Sequence, residues 1–369
     1  MRAADSQRCR AIGTTLAAGC GGGFLFAMLG LPAAWISGSM LAIMVLAVAG
    51  VRLHLPHVLR QAAFVILGAS MGSALTPQMM ARASAWPLSM AVLAVSIVAT
   101  MAGSIFFLNR VAGWDKATAF FASAPGALST VIAMAADSGA DLRRVAFAQA
   151  VRLFLLVAAL PGLLSALHLT QAADPDAMAA QANGLHVATL TSLSGLRDLA
   201  LLLGAALIVG LVAERLRMPG GLILGALLAS GALHLGEWTD VAVPPALLLP
   251  AFTLLGINVG VRFVGTRLST IVTFIRTAMG AFMVSILISG AFALLASVLT
   301  GDDFGKMLAA FAPGALEAMT ALGFALGYDP AFMSAHHVFR FASLSVLLPV
   351  VARLLFSLEE KSEDTDSAG

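Results

Sequence analysis

The sequence predicts an all-α membrane protein made of two tandem repeats, and three observations lead to this fold class. Of its 369 residues, 60% are hydrophobic and only 11% are charged, whereas soluble domains carry about 25% charged residues. Apolar runs of the roughly 20 residues that a helix needs to cross a bilayer recur along the whole chain. The pentapeptide Ala-Pro-Gly-Ala-Leu occurs at 124–128 and again at 312–316, each time inside such a run.

The duplication extends beyond the pentapeptide, because further residues keep its offset of 188 positions. The matched pairs are Gly68 and Gly256, Gly72 and Gly260, Asp115 and Asp303, Asp141 and Asp329, Arg152 and Arg340, and Pro161 and Pro349. Chance would not hold such residues in register over more than a hundred positions. We therefore expect a first membrane repeat at 1–164, a linker at 165–197, a second repeat at 198–356 and an acidic disordered tail at 357–369.

Each predicted repeat contains six apolar segments. They span 11–29, 33–50, 62–75, 88–108, 117–136 and 145–164 in the first repeat, and 198–216, 221–235, 246–264, 271–299, 307–326 and 331–356 in the second. The first segment follows a basic flank and is read as a membrane span rather than a cleaved signal. The first two segments of each repeat are joined by only three or four residues, so they form tight hairpins or kinked pieces. The third segment of the first repeat is short and rich in glycine and serine, which is compatible with a re-entrant element.

The distribution of Lys and Arg favours opposite orientations for the two repeats. In the first repeat, the N-terminal tail and the links 51–60 and 109–116 carry seven basic residues, and the other connections carry three, Arg82, Arg143 and Arg144. In the second repeat the equivalent sets carry two and four, so the bias reverses. Inverted repeats need an odd number of crossings per repeat. A third segment that does not span would give five, whereas six spans would give parallel repeats, the alternative.

The two Pro-Gly breaks are the first candidate site. Pro125 and Pro313 remove a backbone donor, and Gly126 and Gly314 relax the chain beside them. Freed backbone groups at membrane depth are tolerated only inside protein or beside a cavity. Paired breaks in two halves of a membrane protein indicate a transporter-like site for a small molecule or ion. The alternative is a pair of packing kinks.

Polar side chains near the breaks add to this hypothesis. Ser129 and Thr130 follow the first break, and Glu317 stands where the second copy aligns with Ser129. An ionisable side chain at membrane depth is a functional candidate by default, because its burial is costly. The Glu317 carboxyl could bind a cation or carry a proton; the alternative is a glutamate that reaches the interface from a helix end.

Arg152 and Arg340 lie deep in the last segment of each repeat. Each arginine could hold an anionic substrate or act as a clamp on unwound backbone, and the sequence leaves both interpretations open. Arg340 is favoured as the residue that contacts the ligand, because its repeat also holds Glu317 and His337. His337 is a further pathway candidate. Asn258, inside a short apolar segment, lines the same cavity or hydrogen-bonds a neighbouring helix.

Other classes of function find little support. The net charge of +2 is too small and too dispersed for a nucleic-acid surface. The two cysteines, Cys9 and Cys20, and the scattered histidines do not form a metal-ligand pattern. No cofactor motif appears. The expected partners are therefore a small-molecule or ion substrate and the lipid bilayer, with no nucleic acid; a homodimer is left open.

The duplicated pattern resembles the AbrB family of bacterial polytopic membrane proteins, distinct from the small DNA-binding regulator of the same name. The residues that carry the resemblance are Gly-Leu-Pro at 30–32 or Met-Pro-Gly-Gly at 218–221, the paired pentapeptide and the late arginine of each repeat. The resemblance implies the bacterial inner membrane and kinship with secondary transporters. Family labels also include ammonia monooxygenase and regulator of gene expression. A secondary transporter is the main hypothesis; regulation of gene expression and a membrane monooxygenase are the alternatives.

Overall fold

The computed structural model describes residues 2–73, 75, 86–125, 128–136, 138–169, 186–187, 193–218 and 220–366. This described part holds fourteen α-helices. They are α1 Arg2–Met28, α2 Ala34–Val48, α3 His57–Ser73, α4 Trp86–Phe106, α5 Lys116–Ser123, α6 Leu128–Ala136, α7 Leu142–Ala166, α8 Leu193–Arg215, α9 Gly221–Leu235, α10 Pro245–Gly260, α11 Leu268–Thr300, α12 Phe304–Phe311, α13 Leu316–Ala325 and α14 Pro330–Asp366. A π-helical turn, Phe107–Val111, extends α4, and a 3-10 turn, Val261–Phe263, follows α10.

Seven of the helical segments among the described residues are long and apolar enough to cross a membrane, so the chain is a multi-pass membrane protein. They are Gln7–Met28, Trp86–Val111, Leu142–Ala166, Ser194–Arg215, Pro245–Phe263, Leu268–Thr300 and Pro330–Ala352. Three shorter apolar helices lie among them, at Ala34–Val48, Gly221–Leu235 and Leu316–Ala325. The short strands β1, His186–Val187, and β2, Val241–Ala242, pair in parallel. The all-helical membrane class predicted from composition is thereby confirmed.

The bundle has two ends, which we name by what they hold. The first face holds the start of α1 and the link after α2, because Arg52 Nη1 donates to Gln7 Oε1 at 2.8 Å. The second face holds the link between α1 and α2. The start of α3 also lies at the first face, near the end of α8, since Gln61 Nε2 donates to Glu214 Oε2 at 3.4 Å.

Close glycine contacts join the two halves of the chain in parallel helix pairs. Gly256 of α10 lies against Ile36 and Ser39 of α2, and the next turn, at Gly260, lies against Met40 and Ile43. Both helices therefore run towards the first face.

The pair of α3 and α9 repeats this arrangement. Gly68 lies against Ile223 and Ala226, and Gly72 lies against Leu227 and Ser230. Both helices run towards the second face. A Cβ at any of these glycines would overlap its neighbours, so the matched Gly-x-x-x-Gly spacing is explained by close helix contact.

The long helices α4 and α11 pack antiparallel. Gly103 of α4 lies against Val284 and Ile288 of α11, and the hydroxyls of Ser104 and Ser285 are 2.9 Å apart. Near the first face, Trp114 stacks edge-to-face on Phe274, with ring centroids 6.2 Å apart. Accordingly α4 ends, and α11 begins, at the first face.

The fifth segment of the first half folds back on itself. The Asp141 amide, at the start of α7, donates to Thr118 Oγ1, near the start of α5, at 2.8 Å. A straight continuation of α5 into α6 would separate these residues by more than 20 Å, at about 1.5 Å per helical residue. The segment α5–α6 is therefore a re-entrant hairpin that enters from the first face and returns to it.

The equivalent segment of the second half folds back from the other end of the bundle. Gly305, at the start of α12, lies against the Tyr328 hydroxyl, which follows α13. That hydroxyl donates to the carbonyl of Leu169, just beyond α7 at the second face, at 2.7 Å. The segment α12–α13 is therefore a re-entrant hairpin that opens at the second face.

These contacts change the expected arrangement within each half. The expectation that the third segment does not cross is wrong: α3 packs along α9 through successive turns, and the fold-back lies in the fifth segment instead. Of the ten remaining helices, five in each half, seven in the described part of the chain are long and apolar enough to cross a membrane. Helix α8 begins at Leu193, inside the expected linker, and α14 continues to Asp366, inside the expected tail. Residues 170–185 and 188–192 lie outside the described residues.

Candidate functional site

The two hairpin tips are short non-helical stretches where the pentapeptides lie. Helix α5 ends at Ser123 and α6 begins at Leu128; α12 ends at Phe311 and α13 begins at Leu316. Pro125, Pro313 and Gly314 are buried, whereas Gly126 lies outside the described residues. The last carbonyls of α5 and α12 have no following helical turn to donate to them. Each tip therefore needs donors from elsewhere in the fold.

Arg152 of α7 supplies the donors for the first tip. Its Nη2 donates to the Ala124 carbonyl at 3.0 Å, and its Nη1 approaches the Ser123 and Ala122 carbonyls at 3.4 and 3.5 Å. A cation at a helix C-terminus is also favoured by the helix dipole.

Gln149, one turn before Arg152, completes this contact. Its Oε1 accepts from Arg152 Nη2 at 3.0 Å, and its Nε2 donates to the Phe121 carbonyl at 3.1 Å. The end of α5 is thus held by two side chains of α7.

Arg340 of α14 supplies the donors for the second tip. Its Nη1 donates to the Ala312 carbonyl, and its Nη2 donates to the Gly314 carbonyl at 2.7 Å. The backbone turn is closed by a bond from the Gly314 amide to the Ala312 carbonyl, at 2.8 Å. Both arginines therefore make the contacts expected of a clamp on unwound backbone, which is one of the two roles that the sequence left open.

The two guanidinium groups also act on each other. Arg152 and Arg340 are 8% and 3% exposed, and they are close enough to repel one another electrostatically. The ion pairs recorded among the described residues involve neither of them. Two buried cations without a described carboxylate partner leave an excess of positive charge between the tips, which favours a bound anion.

Glu317 lies in the first turn of α13, directly after the second tip, and is half-buried. A carboxylate in this place is stabilised by the N-terminal end of the helix. It is also within electrostatic range of Arg262, in the 3-10 turn that follows α10. Ser129 and Thr130 lie in α6, but their side chains are outside the described residues.

The paired histidines of α14 have different surroundings. His336 is buried with both nitrogens engaged: Nε2 is 2.8 Å from Ser89 Oγ, and Nδ1 is 2.9 Å from the Phe332 carbonyl. His337 is fully buried, and neither of its nitrogens has a hydrogen-bond partner among the described residues. Ser334 Oγ, one turn earlier, is likewise unpartnered there. Buried polar groups without partners are rare and call for an explanation, such as an unseen solute or water.

One further candidate, Asn258, stands apart from the tips. Asn258 is half-buried on α10, and no described hydrogen bond joins it to either tip. Within the described ranges, no group of three or more His, Cys, Asp or Glu side chains could hold a metal ion.

The roles of Gln149 and Ser89 were not predicted from the sequence. A signal for Gln149 was present, since it stands 188 positions before His337 and one helical turn from Arg152. Ser89 carries no such signal, because its contact with His336 joins residues 247 positions apart.

The fold and these contacts define a multi-pass helical membrane protein with two re-entrant hairpins whose tips are held by buried arginines. The chain belongs to the AbrB family: the family profile, described as "Transition state regulatory protein AbrB", matches residues 35–356.

Two curated relatives match over most of their length. The candidate regulator AbrB of Escherichia coli (strain K12) is 27% identical over 332 residues, which cover 90% of this chain and 92% of the relative. The uncharacterized protein YhjN of Bacillus subtilis (strain 168) is 26% identical over 315 residues, which cover 82% of this chain and 80% of the relative.

Proposed function

We propose that the protein is a secondary transporter that moves a small solute or ion through a site between the two hairpin tips. The observation that carries this proposal is that the hairpins enter from opposite faces and bring Arg152 and Arg340 within electrostatic range of each other. Discontinuous helices that converge inside a membrane protein offer backbone groups and helix ends as ligands. Such a site can be opened to one face at a time by movement of either hairpin.

The directions of the crossing helices support an inverted repeat. Helices α1, α2, α3, α4 and α7 cross in the directions opposite to those of α8, α9, α10, α11 and α14. The capping contacts repeat with the same offset. The Asp115 carboxylate accepts from the Thr118 amide, and the Asp303 carboxylate accepts from the Lys306 amide, both at 2.8 Å. Inverted repeats give a transporter two alternative states of similar energy, which alternating access requires.

The basic residues support one orientation in the bacterial inner membrane. The described links and helix ends of the first face hold Arg8, Arg10, Arg52, Arg60, Arg110, Lys116, Arg143, Arg144, Arg215, Arg217, Arg262 and Arg267. Those of the second face hold Arg197 and Lys306. Because basic residues are retained on the cytoplasmic side, the first face is cytoplasmic in this proposal.

The charges at the tips favour an anionic solute, with Glu317 as the coupling group. The two arginines and the N-terminal ends of α6 and α13 contribute positive charge, and Glu317 contributes a single half-buried carboxylate. A carboxylate beside an anion site can carry a proton together with the solute. His337, with its unpartnered nitrogens, is a further polar group along α14 that the solute can contact.

A regulatory role is the second candidate, and it rests on the family description and on the name of the Escherichia coli relative. In this case the protein would act on gene expression through a partner, and the tips would serve as a sensor rather than a passage. Flux of the bound solute separates the two roles, because a sensor binds its ligand without moving it.

The test uses the full chain in proteoliposomes with an imposed proton gradient and a panel of small radiolabelled carboxylates, inorganic anions and amino acids. We expect uptake of at least one anion by the unaltered protein. Glu317→Gln is expected to abolish gradient-driven uptake with an unchanged melting temperature, while the control Glu237→Gln, at an exposed carboxylate, retains it. Binding of a solute without uptake would favour the sensor, and normal uptake by Glu317→Gln would remove Glu317 from the mechanism.

A further inference from the structure

A groove on the side of the bundle begins at the first face between α7 and the link from α10 to α11. Its outer part is a cavity of about 370 Å³ with three arginines in its wall, Arg143, Arg262 and Arg267. The hydroxyl-bearing residues Thr266 and Thr270 also line it. This part of the groove offers several donors and positive charge at the level of a membrane interface.

The groove continues into an apolar part of about 310 Å³. Phe147 lines both parts. Several residues that line the outer part are also next in the chain to residues that line the apolar part. The apolar wall consists of Met44, Val45, Val48, Val151, Phe154, Leu155, Phe263, Leu268, Ile271 and Ile275. Arg143 and Leu155 are twelve residues apart on α7, which is about 18 Å of helix. This length is similar to one leaflet of the roughly 30 Å hydrocarbon core.

The positive charge of the outer part is not balanced by its own wall, which contains no acidic residue. Asp141, two residues before Arg143, caps α7 and pairs with Arg144 at 3.2 Å. Arg262 lies in range of Glu317, which attracts it, and of Arg60, which repels it. An anion from outside the chain would therefore be bound by at least Arg143 and Arg267.

We propose that this groove binds an anionic glycerophospholipid, with its phosphate at the three arginines and an acyl chain in the apolar part beyond Phe147. Charge complementarity selects the headgroup, since basic pockets between membrane helices bind anionic lipid headgroups. The continuous apolar wall selects a lipid over a free phosphate, which would leave that part of the groove unused. No described residue of the hairpin tips lines this groove, and the inference does not depend on the proposed transport.

The test is native mass spectrometry of the full chain, released from detergent after titration with phosphatidylglycerol or phosphatidylcholine. We expect a saturable first phosphatidylglycerol adduct that phosphatidylcholine does not replace. Arg143→Gln with Arg267→Gln should weaken this adduct about thirty-fold, from about 1 kcal/mol for each arginine. The matched control, Arg215→Gln with Arg217→Gln, removes two exposed arginines of the same face and should leave it unchanged.

A second variant tests the apolar part. Val48→Trp should fill the groove and weaken the first phosphatidylglycerol adduct while the arginines remain, and melting curves of all variants confirm that they are folded. Glycerol phosphate at the same concentration should not displace the lipid. Equal binding of phosphatidylcholine, equal loss in both arginine double variants, or displacement by glycerol phosphate would each overturn the proposal.

Discussion

Arg152 and Arg340 make the same kind of contact in two hairpins that enter the bundle from opposite faces. Each arginine reaches from a crossing helix to the carbonyls at the end of the entering half-helix. The residues around them differ. Gln149 joins the first clamp through two hydrogen bonds, whereas His337, at the matching position of the second half, makes none among the described residues.

The comparison separates what holds the hairpins from what distinguishes them. Both halves share the contacts of the arginines and of the aspartate caps. These contacts are explained by the backbone groups at helix ends, which lack partners within the helix. The ionisable groups Glu317 and His337 occur only in the second half, where the first half has Ser129 and Gln149. Arg340 makes the same kind of contact as Arg152, a donation to backbone carbonyls at a hairpin tip. The geometry therefore supports a clamp in both halves rather than Arg340 as a separate ligand residue.

The largest expected effect comes from removing either clamp. Arg152→Ala and Arg340→Ala should each lower the free energy of unfolding by about 3 kcal/mol, because buried carbonyls lose charged donors. Denaturation in mixed micelles measures this. The control Arg197→Ala, at an exposed pair with Asp198, should change stability by less than about 0.5 kcal/mol. A loss of stability in only one of the two arginine variants would mean that the two arginines do not have the same structural role.

The next effect tests the difference between the halves. Gln149→Leu should lower stability by about 2 kcal/mol, because two hydrogen bonds are lost and the Phe121 carbonyl is left without this donor. His337→Leu should not destabilise the protein, since its nitrogens have no described partner to lose. The same denaturation assay compares the two variants. A loss of equal size in both would mean that His337 is a structural partner like Gln149.

The smallest effect concerns the helix caps at the two hairpin entrances. Asp115→Ala and Asp303→Ala should each cost about 1 kcal/mol, the usual value for the loss of an N-cap side chain. Melting temperatures of the two variants should fall by similar amounts. A clear difference between the two melting temperatures would show that other contacts hold one of the entrances. The two hairpins would then be similar only at their tips.

Much of the site was readable from the sequence because local chemistry decides it. The Pro-Gly pairs end α5 and α12, and the matched glycines lie at close helix contacts. The fold-back was not readable, since a Pro-Gly break determines where a helix ends but not which way the chain continues. That direction depends on tertiary contacts such as the bond between Asp141 and Thr118. Arg143 and Arg144 were consequently assigned to the opposite face.

The most direct test of the two re-entrant hairpins is the side of the membrane from which each end of a hairpin can be labelled. Cys9 and Cys20 are exposed and free, so both are first replaced by serine. Single cysteines are then placed at Val111 and Leu142, which flank the first hairpin, and at Leu299 and Asp329, which flank the second. A membrane-impermeant maleimide is applied to intact cells and to inverted vesicles. Because the two hairpins enter from opposite faces, we expect the cysteines at Val111 and Leu142 to react from one side and those at Leu299 and Asp329 to react from the other. Reaction of the cysteines at Val111 and Leu142 from opposite sides would contradict the re-entrant fold of the first hairpin.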